Sequence, residues 1–512
     1  MSAMPKTTEL SPAAAPRPGL ASGFVDFIED APRAAFAAFL ALHFAVWTAL
    51  PALLYANLPL DLIEALTYGR EWQLGYDKLP PLPWWLVEIL HRIFGHDVAY
   101  YALAQVVVIA AFIAVWATAR PLVGATGALV AVLIVDGLHY FQYTAVKFNH
   151  DVVQLPFWAL AGYAFHASLK RGRPIHWLLL GVAFGGALWA KYFVVVLAAP
   201  YALFMIFDRD ARRALMTPGP WLALVTALII AAPHVVWLVQ NDFLPLAYAE
   251  HRAAPLRGWF DHIVHPAVFL GSQIFFGLPS LFIAAPLVWP RPQMHQPMDA
   301  DAFDHRIVTL LAFGPGIAMI ALTTVSGRGT FAMWGYPLWL YVGLWAVLRL
   351  RPLLDRARLA HIVAHWGVVF ALFAIVFAVN YSVLPRIDHR YRAVFYPGDK
   401  LAAALTQRFH DATGVKLRYV VGSMWDGGNL AHYSPDQPQV LIDALPQRAP
   451  WIDLADLRKA GAIVVWTGGD TAHVPASFAP VAGTAQIGAP FELPMRRGGG
   501  TLHVGWALLK PQ

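Results

Sequence analysis

Long apolar runs alternate with short polar segments along about the first 380 residues of the chain. Each run is about 20 residues long, which is the length that a helix needs to cross the hydrocarbon core of a membrane. Eleven spans are predicted in this way, with approximate bounds 34–55, 98–118, 122–140, 151–169, 175–190, 192–208, 219–239, 265–289, 306–325, 332–349 and 360–381. The pattern therefore predicts a polytopic α-helical membrane protein with about eleven transmembrane helices.

Basic residues in three short loops predict the orientation of the chain. Lysine and arginine are concentrated at 170–173, 209–213 and 349–358, and such loops lie preferentially in the cytoplasm. With eleven spans, all three loops fall on the same side of the membrane. We therefore expect the N-terminus inside, and the polar loop at 56–97 outside together with the C-terminus.

The composition changes after residue 383, where runs of membrane length stop. Short apolar runs at 417–422 and 462–466 are typical of strands, whereas 398–411 and 453–460 are typical of helices. This alternation predicts a small α/β domain. The expected division is a disordered cytoplasmic N-terminus at 1–33, a transmembrane domain at 34–382 with its first outward loop at 56–97, and an extracytoplasmic α/β domain at 383–512.

The composition of the chain narrows the range of functions. Hydrophobic residues make up 58% of the chain and charged residues only 13%, against roughly 25% charged residues in soluble proteins. The chain has no cysteine, so disulfides and thiolate metal sites are ruled out. Loops between spans account for much of the net charge of +6, so no nucleic-acid partner is expected. No nucleotide-binding fingerprint occurs, and we expect neither a nucleotide nor a redox cofactor.

The first outward loop begins with two acidic residues, Asp61 and Glu64, close to the end of the first span. One interpretation is that Asp61 caps a short juxtamembrane helix over 62–74, because aspartate is a preferred N-cap. The other is that a carboxylate at this depth meets the head group of a lipid-borne substrate. Glu64 lies about one helical turn further on, so it is a candidate for the same site.

Further along this loop, Asp77 and Lys78 precede the pair Pro80 and Pro81. Proline fixes the backbone φ angle, so the acid and the base sit on a stiff turn. A lysine is suited to binding phosphate and an aspartate to binding a divalent cation. Alternatively, Lys78 extends its charge toward lipid head groups, as interfacial lysines often do.

Four residues of later outward segments are candidates for the same site. Asp151 either caps the fourth span or binds substrate, and Lys191 either reaches for head groups or binds a phosphate. His251 and Arg252 lie together in a loop and suit phosphate or metal binding, although a solvated loop also explains them. A divalent cation shared by Asp77 and His251 is a further hypothesis.

These residues resemble a known family. An acidic residue after span one, followed by a Gly-Tyr turn that leads into Pro-Pro-Leu, is the pattern of GT-C-fold glycosyltransferases that use polyprenyl-phosphate sugars. They include protein O-mannosyltransferase-like bacterial enzymes and the transferases that add aminoarabinose or galacturonic acid to lipid A. The matching positions here are Asp61, Gly75, Tyr76, Pro80, Pro81, Leu82 and the later Ala190-Lys191-Tyr192. The chain departs from the pattern in having Leu62 after Asp61 and Leu79 before the prolines.

The resemblance implies an inverting glycosyltransferase of the bacterial inner membrane, with its active site and C-terminal domain in the periplasm. The expected partners are a polyprenyl-phosphate sugar donor, a lipid, polysaccharide or protein acceptor hydroxyl, and membrane lipids. Asp61 is the expected base. The expected substrate-binding residues are Lys78, Tyr76, Glu64, Asp151, Lys191 and Arg252, with Asp77 and His251 at a possible metal site. The competing interpretation is a transporter or flippase of lipid-linked sugars; such proteins often have repeated halves, and no repeat is evident here.

Overall fold

The computed structural model describes residues 20–253, 255–290 and 298–512, except for the side chains of 20–22, 249 and 251. Helices dominate as far as residue 388. They are α1 (Leu20–Asp30), α2 (Pro32–Leu54), α3 (Leu60–Gly69), α4 (Leu82–Phe94), α5 (Val98–Asp136), α6 (His150–Arg171), α7 (Pro174–Ala190), α8 (Val194–Phe207), α9 (Arg209–Arg212), α10 (Pro218–Gln240), α11 (Leu244–Arg252), α12 (Asp261–Ala284), α13 (Ala302–Ser326), α14 (Val342–Leu350), α15 (Arg356–Ser382) and α16 (Pro385–Asp388).

The protein is a multi-pass membrane protein. In the described part of the chain, six helices are long and apolar enough to cross a membrane, namely α2, α5, α10, α12, α13 and α15, and α7 and α8 are shorter apolar helices. Predicted spans two and three fall on the single helix α5, which is interrupted at Gly124 (φ 73°, ψ 172°). This backbone conformation is open to glycine and strained for other residues. The predicted tenth span divides into the 3₁₀ turn Ala332–Gly335 and α14, and the total number of crossings stays a prediction.

The N-terminal region corrects one expectation. Residues 1–33 were expected to be disordered; residues 1–19 lie outside the described part, but 20–30 form the helix α1. Val25 and Ile28 of this helix are buried in the membrane-domain core, and Asp26 pairs with Arg356 at the start of α15. An apolar face with a polar partner is enough to order a short helix that composition alone does not predict.

The first outward loop is a folded layer built from α3, α4 and the turn between them. Trp84 in the first turn of α4 stacks on Tyr68 of α3, with ring centroids 4.4 Å apart and planes 10° apart. Tyr76 packs edge-on against both rings, at 5.2 Å from Tyr68 and 4.8 Å from Trp84. All three rings are buried, and burying a large side chain of this kind contributes roughly 1.5–3 kcal/mol. Trp84 is therefore a core residue of the loop.

The chain after α16 forms the α/β region expected from the sequence. Its elements are α17 (Gly398–Thr413), β1 (Tyr419–Gly422), α18 (Met424–Tyr433), β2 (Gln439–Ile442), α19 (Leu454–Ala460), β3 (Ala462–Thr467), α20 (Ala479–Ala482), β4 (Gln486–Ile487), β5 (Phe491–Pro494) and β6 (Thr501–Leu509). The strand order is β2-β1-β3-β6-β4, with β5 also paired to β6. β1 runs parallel to β2 and β3, whereas β6 is antiparallel to β3, β4 and β5.

This α/β region packs directly on the first outward loop. Gly428 of α18 lies so close to α3 that an added Cβ would come within 2.5 Å of the Thr67 hydroxyl. Two interdomain hydrogen bonds flank this contact: Asn57 Nδ2 donates to Asn429 Oδ1 at 3.0 Å, and the Arg70 guanidinium donates to the Gln437 carbonyl at 2.7 Å. Five buried residues after α16 belong to the same core as the membrane helices: Val394, Phe395, Ala431, Val440 and Ile442. The loop is thus held between the membrane helices and the α/β region.

Candidate active site

A cavity of ≈ 260 Å³ lies where the ends of several helices meet the first loop. Six residues expected from the sequence line it together: Asp61, Glu64, Lys78, Asp151, Lys191 and Arg252. They come from α3, the α3–α4 turn, the start of α6, the α7–α8 junction and the end of α11. Segments separated by up to about 190 residues therefore place three acids and three cations around one space.

Asp61 differs from the two other acids of the cavity, because its hydrogen-bond partner is an amide. It does not cap α3: the N-cap is Pro59, and no side-chain cap is formed. Asp61 Oδ2 instead accepts a hydrogen bond from Asn149 Nδ2 at 3.0 Å. Within the described part of the chain, no cation forms an ion pair with this carboxylate. Burial raises the pKa of Asp61 to about 6, with a smaller contribution from the Glu64 carboxylate, whereas the hydrogen bond from Asn149 and the charge of Lys147 act in the opposite direction.

The two other acids are paired with the two lysines. Lys78 Nζ bonds Glu64 Oε1, and Lys191 Nζ lies 2.5 Å from Asp151 Oδ1. All four side chains are largely buried, with at most 17% exposure. Burial opposes the charge on Lys78, but the Glu64 carboxylate outweighs it and raises the pKa of Lys78. A lysine has three N–H donors, so one carboxylate partner leaves donors available to an anionic substrate.

Asn149 is a site residue that the sequence analysis missed. Its Oδ1 accepts from the backbone amides of Asp151 at 3.0 Å and Val152 at 3.2 Å, so Asn149 is the N-cap of α6. Asp151 is therefore not the cap of this helix, as one interpretation of the sequence had it. Its side chain pairs with Lys191 instead. The signal was present in the sequence, since asparagine directly before a predicted helix is a typical N-cap.

Aromatic rings form the part of the cavity wall that sequence reasoning did not predict. Lys191 Nζ lies 5.6 Å from the centre of the Phe193 ring and 5.5 Å from that of Trp334. Lys78 Nζ lies 5.4 Å from the Tyr248 ring centre. Such contacts stabilise a cation by about 0.5–1 kcal/mol at exposed sites and by more when water is excluded. The rings therefore help to keep both ammonium groups in the cavity.

Arg252 is the third cation of this cavity, and it differs from the two lysines in its contacts. Its guanidinium lies 4.2 Å from the centre of the Phe331 ring, and the described residues provide no carboxylate partner for it. The neighbouring Glu250 pairs instead with Arg328, which ties the end of α11 to the segment after α13. Arg252 is exposed at the cavity edge, so it is available to an incoming anion.

Two expected site residues lie away from the cavity. Tyr76, expected to bind substrate, is only 2% exposed, and its hydroxyl donates to the Tyr68 carbonyl at 2.8 Å. Its physical role here is to fill the aromatic layer between α3 and α4. Asp77 Oδ1 accepts from the Tyr68 hydroxyl at 2.9 Å, and Asp77 Oδ2 accepts from Arg448 Nε at 2.9 Å. Both carboxylate oxygens of Asp77 are therefore used within the protein.

The expected metal pair of Asp77 and His251 stays a prediction. The side chain of His251 lies outside the described residues. Asp77 is held by Arg448 and Tyr68, and freeing it for a cation would require breaking that buried pair. The described residues contain no group of three or more histidine, aspartate or glutamate side chains that could hold a metal ion.

Comparison with known proteins identifies the class. Residues 78–237 match the sequence model of the family described as dolichyl-phosphate-mannose-protein mannosyltransferase. The chain is 24% identical over 507 residues to the lipopolysaccharide core galacturonosyltransferase RgtA of Rhizobium johnstonii, covering 92% of this chain and 97% of that protein. It is 25% identical over 224 residues to the lipid A galacturonosyltransferase RgtD of the same organism, covering 41% of this chain and 46% of RgtD.

The fold is also that of a solved enzyme. The structure of ArnT from Cupriavidus metallidurans bound to undecaprenyl phosphate superposes with a TM-score of 0.63 at 14% identity, covering 92% of this chain and 97% of that one. The protein is a membrane glycosyltransferase with the GT-C fold. Within that class it has full-length similarity to a galacturonosyltransferase of the lipopolysaccharide core, and the transporter or flippase alternative is not favoured.

Proposed function

We propose that the protein transfers a sugar from a polyprenyl phosphate to a hydroxyl group of lipid A or of the lipopolysaccharide core, at the periplasmic face of the bacterial inner membrane. The observation that carries the proposal is Asp61, a carboxylate with no ion-pair partner among the described residues, in a cavity with two lysines and an arginine. A base beside a set of cations is what a displacement with an anionic leaving group requires. Galacturonic acid is the first sugar to test, because RgtA and RgtD are named for its transfer.

The cations of the cavity bind the donor phosphate. Lys78 and Lys191 keep N–H donors free beside their carboxylate partners, and the described residues provide no carboxylate partner for Arg252. The polyprenyl tail stays in the lipid or between helices, while the phosphate rests at the outward ends of the helices. As the sugar leaves, its former glycosidic oxygen becomes a phosphate oxygen with increased negative charge, and the cations stabilise that charge.

Asp61 acts on the acceptor. Its carboxylate takes the proton from the acceptor hydroxyl while that oxygen forms a bond to the anomeric carbon, and the bond from this carbon to the phosphate breaks. A single displacement of this kind inverts the anomeric centre. A base works best when its pKa lies near the operating pH, and burial raises the pKa of Asp61 to about 6. Asn149 holds one carboxylate oxygen and leaves the other directed to the reaction.

A transfer assay in reconstituted membranes tests the proposal. Purified protein in lipid vesicles is supplied with radiolabelled undecaprenyl phosphate galacturonic acid and with lipid A or core acceptor, and the product is measured. We expect label in the acceptor with wild-type protein and almost none with Asp61→Asn. Movement of the labelled donor across the bilayer without transfer to any acceptor would support the flippase interpretation and contradict the proposal. The anomeric configuration of the product, read by NMR, tests inversion.

The periplasmic orientation is part of this proposal and has its own test. The basic loops support a cytoplasmic position for residue 172 and a periplasmic position for residue 430. Reporter fusions at these two positions should give opposite signals, one active only in the cytoplasm and the other only in the periplasm. The same signal at both positions would contradict the orientation and would place the cavity on the other side.

A further inference from the structure

Arg448 joins the α/β region to the loop that carries Lys78. It lies at the end of the 3₁₀ turn Pro446–Arg448, which follows β2. Its Nε donates to Asp77 Oδ2 at 2.9 Å, its Nη2 donates to the Tyr68 hydroxyl at 3.2 Å, and its Nη1 pairs with Asp443. The Arg448 and Asp77 side chains are only 21% and 12% exposed, so this is a largely buried ion pair with fixed geometry.

The contact bears directly on the cavity because Asp77 and Lys78 are neighbours in the chain. The turn between α3 and α4 has no regular backbone pairing, so its conformation depends on side-chain contacts. Its first half is held by the Leu74 carbonyl, 2.6 Å from His234 Nδ1, and its end by the Pro80 carbonyl, 3.0 Å from His150 Nε2. Between these two points, Arg448 makes the hydrogen-bonded contact from the α/β region to the turn, and Trp451 of the same region packs edge-on against Tyr76 at 5.9 Å.

We propose that Arg448 is a positioning residue for glycosyl transfer: it fixes Asp77 and thereby directs Lys78 toward the phosphate of the donor. The α/β region is then part of the catalytic unit, since it supplies the group that orders a membrane-domain lysine. This inference rests on the proposed function, and specifically on the role of Lys78 at the donor phosphate. Tyr68 is the shared partner in this arrangement, because its hydroxyl contacts both Asp77 and Arg448.

The test is the variant Arg448→Gln, assayed for donor and acceptor kinetics separately. A lysine that is no longer held in place loses most of a charge-assisted hydrogen bond to phosphate, so we expect the KM for the donor to rise about tenfold or more. The KM for the acceptor should stay unchanged. Arg418→Gln is the matched control, because Arg418 pairs with Asp456 on an exposed part of the same region; its kinetics should equal those of the wild type.

A second comparison separates positioning from a general loss of structure. In a Lys78→Ala background, Arg448→Gln should cause little further loss, because effects that act through one group are not additive. Should Arg448→Gln fold poorly, Asp77→Asn keeps the shape of the side chain and removes the charge, and the same rise in donor KM is expected. An unchanged donor KM in both variants, or an equal additional loss in the Lys78→Ala background, would overturn the inference. An inactive wild-type protein would instead contradict the proposed function.

Discussion

Two cavities on either side of helix α3 have similar residues in very different arrangements. One is the reaction cavity of ≈ 260 Å³, and the other is a larger polar groove of ≈ 520 Å³ between α3, α4 and the α/β region. In the groove, Glu71 accepts from Gln439 Nε2 at 2.8 Å and lies 3.7 Å from Arg70. Glu88 accepts from Arg92 at 2.7 Å. Both acids of the groove therefore have a cationic neighbour.

This difference shows which property marks the reaction cavity. Size does not, because the groove has twice the volume. A raised pKa does not either, because burial also raises the pKa of Glu71. What distinguishes the smaller cavity is Asp61, a carboxylate without an ion-pair partner among the described residues, close to lysines that keep donors free. A base next to anion-binding groups can support glycosyl transfer. Glu71 and Glu88 have arginine neighbours, and we assign them a structural role.

The largest effect is expected from Asp61→Asn. Asparagine keeps the size of the side chain and can still accept from Asn149, but it cannot take up the acceptor proton. Transfer should fall by roughly 10²–10⁴-fold, the usual contribution of general acid–base catalysis, with unchanged expression and thermal stability. The matched control is Glu71→Gln, just after α3 in the polar groove, which should leave the transfer rate almost unchanged. Comparable losses in the two variants would remove the distinction between the two cavities.

A smaller effect is expected from Lys78→Ala. A charged hydrogen bond contributes roughly 1.5–3 kcal/mol, so donor use should weaken by about ten- to a hundredfold, measured as the donor KM. Because Lys78→Ala leaves the Glu64 carboxylate without its cation, the double variant Lys78→Ala with Glu64→Gln restores the charge balance. If the double variant uses the donor as well as the wild type, Lys78 is a structural partner of Glu64 and has no role at the phosphate.

The smallest effect is the pH dependence. Asp61 must be deprotonated to act as a base, and its pKa is raised to about 6. The rate kcat/KM should therefore be level above about pH 7 and fall as the pH decreases through 6, to about a tenth near pH 5. Lys78 does not contribute in this range, since its pKa is raised further above its usual value. A rate that is constant down to pH 4.5 would contradict an essential carboxylate of this pKa.

Much of the membrane architecture could be predicted from the sequence, for a simple physical reason. An apolar run of about 20 residues generally folds as a membrane helix. When such helices pack side by side, the polar residues at their ends are brought together. Asp61, Lys78 and Lys191 were found in this way, and the structure places them around one cavity. The strands near 419 and 462 were also predicted, from short apolar runs between turn residues.

The remaining features depend on contacts that no local pattern encodes. Tyr76 belongs to the same polar loop motif as Lys78, so the sequence predicts both at the site. In the structure its ring packs in the aromatic layer of the loop. Arg448 lies 371 residues from Asp77 in the chain, so their pairing follows only from how the α/β region docks. The same holds for Trp334, whose position beside Lys191 depends on the packing of the segment before α14.

The lysine–carboxylate pairs have a consequence for the electrical balance of turnover. Asp61, Glu64 and Asp151 offset the charges of Lys78, Lys191 and Arg252, so the lining residues sum to about zero before substrate arrives. The phosphodiester group of the donor carries one negative charge, and the released polyprenyl phosphate is a monoester that carries close to two at neutral pH. Over the same step Asp61 gains a proton and loses its charge. The negative charge thus moves from the carboxylate to the departing phosphate, and the total within the cavity is the same before and after the sugar is transferred.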